Sequence, residues 1–245
     1  MSTVATVCCS FFCRSRTESS CYWETAIREL CRARDLRPWL EEDAGKLWVC
    51  LVLILCGGAA YGASLGIWRA PLQAVFVAIK FPLLLLLTAL GTALINGMLA
   101  QLLHAPIRFR QSLLAVLMSF ALLALLLASF TPLIGFLLWH LPSMASKGQA
   151  EAHRIFLLAN VAIIAFSGTL ANLQLYSLLQ QISGKSAGQI LGVWLAMNLF
   201  LGAQLSWNLR PFFGTPELPV SFLRADPLNG SFYEAVFLLA QRSVL

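Results

Sequence analysis

Charge is what this chain lacks. Of its 245 residues only 11% are Asp, Glu, Lys or Arg, 59% are hydrophobic, and the mean hydropathy is +0.77. A soluble domain carries about 25% charged residues. One aqueous core does not hide so large an apolar excess, so the composition points to lipid as the solvent.

The few charges are unevenly spread. Seven of the eleven acidic and seven of the seventeen basic residues precede Leu47. The chain thus divides into a polar, nearly neutral segment over 1–46, an apolar transmembrane bundle over 47–207, and an interfacial loop with a short C-terminal helix over 208–245. The apolar runs hold no Asp or Glu. Proton or sodium coupling through an intramembrane carboxylate is therefore not expected. The pI is 9.1, yet the basic residues sit at the ends of apolar runs. That placement suits lipid headgroups and argues against nucleic acid as a partner.

Catalytic and metal-binding patterns are also missing. All seven cysteines lie between Cys8 and Cys56, with no C-x-x-C pair and no His nearby, so zinc-ligand spacing is absent. They read as reduced thiols on a cytoplasmic segment. The first residues have no basic leading region and no small-residue cleavage site after an apolar stretch, so no signal peptide is read there. No H-E-x-x-H, G-x-S-x-G or phosphate-binding glycine loop occurs. His104 and His140 stand before Ala-Pro and Leu-Pro at the ends of apolar runs, as interface histidines do. Ser167 with Gly168 has no companion His in its run, so no serine nucleophile is assigned. The expectation is a non-enzyme with no catalytic, cofactor-binding or metal-binding residues and no cofactor.

What is present is helical and apolar. The expected fold class is all-α: a polytopic membrane helix bundle of about five transmembrane helices with an N-terminal amphipathic helix. The amphipathic element covers 22–40, with Trp23, Ile27 and Leu30 on one face and Pro38 ending it. It lies either on the membrane surface or against its own protein. The spans run from Leu47 to Trp68, Phe81 to Leu103, Ser112 to Thr131, Ile155 to Leu179 and Ala187 to Trp207. Twenty apolar residues cross about 30 Å of hydrocarbon. Pro71 to Lys80 reads as an amphipathic lead-in, with Lys80 snorkelling at the membrane edge. Leu133 to Leu141, after Pro132, is too short to cross alone. The basic flank before Leu47 favours a cytoplasmic N-terminus.

Helices in lipid associate by close backbone approach and polar contacts. Gly58, Gly62 and Gly66 form one ridge, Ala89, Ala93 and Gly97 a second, and Gly188, Gly192 and Ala196 a third. These ridges suit a compact bundle or docking on a partner's helix. In-span polar residues are mostly amides, among them Asn96, Asn160, Asn172, Gln174, Asn198 and Gln204. They read as interhelical hydrogen-bond partners, or as the lining of a path for a polar solute.

After the fifth span comes Trp207-Asn-Leu-Arg-Pro-Phe-Phe-Gly-Thr-Pro. Trp207, Arg210, Pro211, Phe212 and Gly214 are its marked positions. Arg210 is placed to bind a helix-terminal carbonyl or a lipid phosphate, and Phe212 to enter the interface. Ser231-x-x-Glu234 has the form of a capping box opening a last helix.

Arg69-Ala-Pro-Leu-Gln-Ala-Val, Lys80-Phe-Pro-Leu-Leu-Leu-Leu, the Arg108-to-Gln111 turn and the W-x-L-R-P-F-x-G-x-P segment resemble a set of uncharacterised bacterial multi-span inner-membrane proteins. Their bundle is similar to the Yip-type five-span family. The Asp-Leu-Tyr-Gly-Pro motif of that family's eukaryotic members is missing here. The resemblance implies a membrane-embedded, non-catalytic protein of the inner membrane. The expected function is a scaffold or accessory subunit of a larger membrane complex, with the lipid bilayer and other membrane subunits as partners. The alternative is a transporter or channel for a polar or lipid-like solute.

Overall fold

The computed structural model describes residues 25–31, 44–102, 109–141, 149–213, 220–224, 226–234 and 241. Without water in the bilayer core, each backbone polar group must be satisfied within its own segment, and long apolar runs become helices. Among the described residues, six longer α-helices follow a short helical segment at 25–31: α1 (Ala44–Gly66), α2 (Pro71–Leu102), α3 (Phe109–Ser129), α4 (Thr131–His140), α5 (Gln149–Ser183) and α6 (Ala187–Asn208). No strand occurs among the described residues. Four stretches are long and apolar enough to cross a membrane: Gly45–Gly66, Pro71–Met98, Phe109–His140 and Glu151–Asn208.

The last stretch holds two helices. A 3-10 turn, Gly184–Ser186, separates α5 from α6, and Gly184 has φ +54°, a left-handed conformation that only glycine adopts cheaply. The chain then returns: Phe213, just past α6, packs edge-on against Phe156 near the start of α5, with ring centroids 5.8 Å apart.

α1 and α2 join through a tight turn at 67–70, capped by bonds from the Arg69 and Ala70 amides to the Gly66 carbonyl. They pack very closely. A methyl group added at Gly62 would lie 2.5 Å from the Val77 carbonyl oxygen, one at Gly66 would lie 2.6 Å from that of Gln73, and one at Gly58 would touch Pro82 at 3.2 Å. Pro82 sits inside α2, where its ring removes the N–H due to the Ala78 carbonyl. Gly97 meets the Phe109 ring of α3. By contrast, Gly188 and Gly192 on α6 have no neighbour among the described residues within 4 Å of where a side chain would begin.

Two boundaries differ from the sequence expectation. Pro71 to Lys80 is no separate lead-in but the first turns of α2. Proline is at home in a first helical turn, which explains the start at Pro71. Leu133 to Leu141 falls mainly in α4, which follows α3 across a single residue, Phe130.

The core is centred on α3, whose Leu114 to Leu127 face is largely buried between α1, α2 and α5. On α2, Leu83, Leu87, Leu90 and Leu94 form one exposed apolar face suited to lipid, while Leu85, Thr88, Ala89, Thr92 and Asn96 face inward. In the segment 25–31, Ala26, Ile27 and Leu30 are buried, and Gln174 of α5 donates to the Leu30 carbonyl. This described part of the N-terminal element packs on its own protein. Trp23, Trp39 and the N-terminal cysteines before Cys31 lie outside the described residues.

Candidate functional site

The helices do not close on one another evenly. α2 packs on α1, α3 and α6, and α5 packs on α3 and α6. α5 reaches α1 through Tyr61, whose hydroxyl donates to Asn160 Oδ1 at 2.9 Å, and the turn after α1 through Trp68, stacked on His153 at 5.5 Å. Between these walls lies a cavity of about 860 Å³. Its walls are Gln73, Phe81 and Leu84 of α2 and His153, Leu157 and Ile164 of α5, with Leu65 of α1 beside them. Each of these two walls runs over twelve residues, or eleven rises, about 16 Å of helix. Ile164, at the deep end, is itself exposed.

Its roof comes from the chain after α6. Arg210 donates from Nε to the Trp207 carbonyl at 3.2 Å, and its guanidinium lies over the Trp207 ring, 3.1 Å from the centroid. Pro211 follows through a cis peptide bond. Two donors from α2 converge on the Pro211 carbonyl: Gln73 Nε2 and Lys80 Nζ, both at 3.1 Å. Gln73 also reaches the Phe212 carbonyl at 3.3 Å. Seven residues apart, Gln73 and Lys80 share a helix face. Lys80 is wholly buried in the protein, with its ammonium 4.9 Å from the Phe222 ring. The expected snorkelling to the membrane edge is therefore replaced by an internal bond.

A second basic side chain closes the roof. Arg224 holds the Asn229 carbonyl through Nη2 at 2.9 Å and also lies over Trp207, 5.4 Å from the centroid. Burial, and then the charge of Arg224, hold the Arg210 guanidinium below its ordinary pKa. Phe232 donates its amide to Gln204 Oε1, and Tyr233 its hydroxyl to the Phe200 carbonyl, which ties this segment back onto α6. Ser231 Oγ accepts from the Glu234 amide, the first half of a capping box.

Three residues that line the cavity each hold a buried nitrogen with no hydrogen-bond partner among the described residues: Trp207 Nε1, Arg224 Nε and His153 Nδ1. Buried polar groups are nearly always partnered, so three around one cavity is a concentration that needs a cause. The lining described is polar at the roof, with Arg69, Arg210 and Arg224, and apolar along the walls, and it contains no Asp or Glu.

Of the positions marked in the sequence, Trp207, Arg210, Pro211 and Phe212 meet at this roof, and Gly214 lies outside the described residues. Gly58, Gly62 and Gly66 stand at the α1–α2 contact, Gly97 at α2–α3, and Gly188 and Gly192 face open space. Sequence reasoning missed Gln73, Lys80, His153 and Arg224 as parts of one site. Of the amides, Asn160, Gln174 and Gln204 bond between elements, and Asn172 bonds within α5. Asn96 finds no partner for either amide atom. Among the described residues no three His, Cys, Asp or Glu side chains are grouped to hold a metal ion.

Fold and cavity together define the class: a multi-pass membrane helix bundle with a cationic-roofed cavity. No family model, curated protein or solved structure matches the chain.

Proposed function

We propose that the chain is a non-enzymatic, five-crossing protein of the bacterial inner membrane, with a cytoplasmic N-terminus, that holds a lipid-like solute in the cavity between α2 and α5. The observation that carries this reading is the cavity's gradient. It is basic at the roof and apolar below it along Phe81, Leu84, Leu157 and Ile164, with Ile164 exposed at the deep end. A solute entering from the bilayer meets surfaces of its own polarity at each depth. Five crossings follow if α5 and α6 each cross once, which the approach of Phe213 to Phe156 supports. The basic flank before α1 favours the cytoplasmic N-terminus. The roof then faces the opposite side of the membrane.

Purification in mild detergent, followed by native mass spectrometry, tests the reading. An amphiphile should travel with the wild-type protein and be lost from Leu84→Trp, which fills the cavity. Identical bare masses for both would contradict it.

One observation favours the scaffold or accessory-subunit reading. The Gly188 and Gly192 face of α6 is covered by none of the described helices. Recovery of another membrane subunit in fixed proportion, lost on Gly192→Leu, would support that role.

A further inference from the structure

Resting on the lipid-like-solute reading, we propose that Arg210, Arg224 and Trp207 form a phosphate site, and that the ligand is an alkyl or acyl chain carrying a phosphate headgroup. The chain lies along Phe81, Leu84 and Leu157, and the phosphate sits beneath the Trp207 indole and its two arginines.

Three observations converge on this chemistry. First, two guanidiniums are held around one indole, with Cζ atoms 3.1 and 5.4 Å from its centroid. Like charges brought this close repel, and the described cavity lining offers no carboxylate to offset them. An anion bound between them removes the repulsion. Second, the donors without partners are the right kind. Trp207 Nε1 and Arg224 Nε can only donate, both are buried, and both belong to residues that line the cavity. They require an acceptor. The rest of Arg224 is already fixed, through Nη2 on the Asn229 carbonyl, so its Nε is held in place before any ligand arrives. Third, the number of donors discriminates between anions. Two arginine forks and an indole N–H approach from separate residues. A carboxylate presents two oxygens in one plane, whereas a phosphate presents three or more in a tetrahedron. Arginine forks pair with phosphate bidentately.

The same phosphate chemistry could come from a membrane lipid or from a water-soluble phosphate. The apolar walls favour the lipid, because inorganic phosphate leaves Phe81, Leu84 and Leu157 without a use.

Binding is measured by native mass spectrometry on the full chain in dodecyl maltoside, whose neutral head shares the probes' chain length. The probes are dodecyl phosphate, dodecanoate and inorganic phosphate. Dodecyl phosphate should bind about tenfold tighter than dodecanoate, since one additional charge-assisted hydrogen bond is worth that much. Arg224→Gln should abolish the preference, and Arg224→Lys should restore part of it, because it keeps the charge without the fork. Arg154→Gln, which alters an exposed arginine outside the cavity, should leave it intact. Should Arg224→Gln not fold, Trp207→Phe removes the indole donor alone and must weaken dodecyl phosphate selectively. Equal binding of dodecyl phosphate and dodecanoate in wild type, unchanged in the variants, overturns the phosphate site and leaves the lipid-like-solute reading standing. Inorganic phosphate binding as tightly as dodecyl phosphate overturns the lipid source. Binding of none of the three overturns both.

Discussion

Lys80 is a charged side chain with no exposure, set nine residues into an apolar helix. A buried charge is tolerated only when it is well bonded. Here the Pro211 carbonyl, 131 positions further along the chain, accepts a hydrogen bond from its ammonium. Replacing Lys80 by Met keeps the bulk but removes the donor. The Gln73 bond remains, so the expected loss is one charge-assisted hydrogen bond, about 1.5–3 kcal/mol. Thermal unfolding in detergent should show that loss, and added protease should cut the chain after α6 sooner. Arg210 contributes to the same roof from the other side, through the Trp207 carbonyl and ring. Arg210→Ala should therefore loosen the roof, and Arg210→Lys should rescue it only partly, because an ammonium lacks the planar fork. Identical proteolysis of wild type and both variants would mean that Arg210 merely sits beside the indole. The sequence hinted at Arg210 because it follows directly on an apolar run. It gave no hint of Lys80 or Arg224, because their partners are set by how distant segments meet and not by local spacing.

Among the helices, the glycine spacing on α1 was informative and that on α6 was not. The two patterns look alike in the sequence, yet Gly62 lies against the Val77 backbone and Gly192 against none of the described residues. Spacing shows that close approach is possible; the neighbour decides whether it happens. Gly62→Leu must push backbone aside, since a carbonyl cannot swing away like a side-chain end. The expected cost is about 1–3 kcal/mol or more, with α1 and α2 forced apart. Gly192→Leu should leave the stability of the isolated chain unchanged. Equal thermal midpoints for the two variants would contradict this contrast. Helix boundaries were less legible than helix identity. The polar residues Gln73 and Lys80 made the start of α2 read as a surface lead-in, although both are buried beneath the roof. The helix runs through Pro82, with Gly58 leaving room for the ring. The Tyr61–Asn160 bond tests how α5 is held. Tyr61→Phe leaves Asn160 Oδ1 without its donor, though Asn160 Nδ2 still bonds the Phe156 carbonyl. Interhelical bonds of this kind contribute about 1 kcal/mol, and the melting temperature should fall accordingly.

At the scale of the whole molecule, composition alone required lipid, and the long apolar runs yielded the helices. The cavity was not legible. It exists because α5 leans on α3 and α6 and meets α1 at only a few side chains, leaving the wall of α2 open. No local pattern encodes such a gap. Both the site and its chemistry depend on the 58-residue apolar stretch from Glu151 to Asn208 crossing twice, so that its two ends meet under one roof. Cysteine labelling measures this directly. In a background with the seven native cysteines replaced, single cysteines at Arg154, Lys185 and Asp226, all exposed, are treated with a membrane-impermeant maleimide before and after permeabilisation. Arg154→Cys and Asp226→Cys should react from one side of the membrane, and Lys185→Cys only from the other. Labelling of all three from the same side would contradict the double crossing and the cavity built on it.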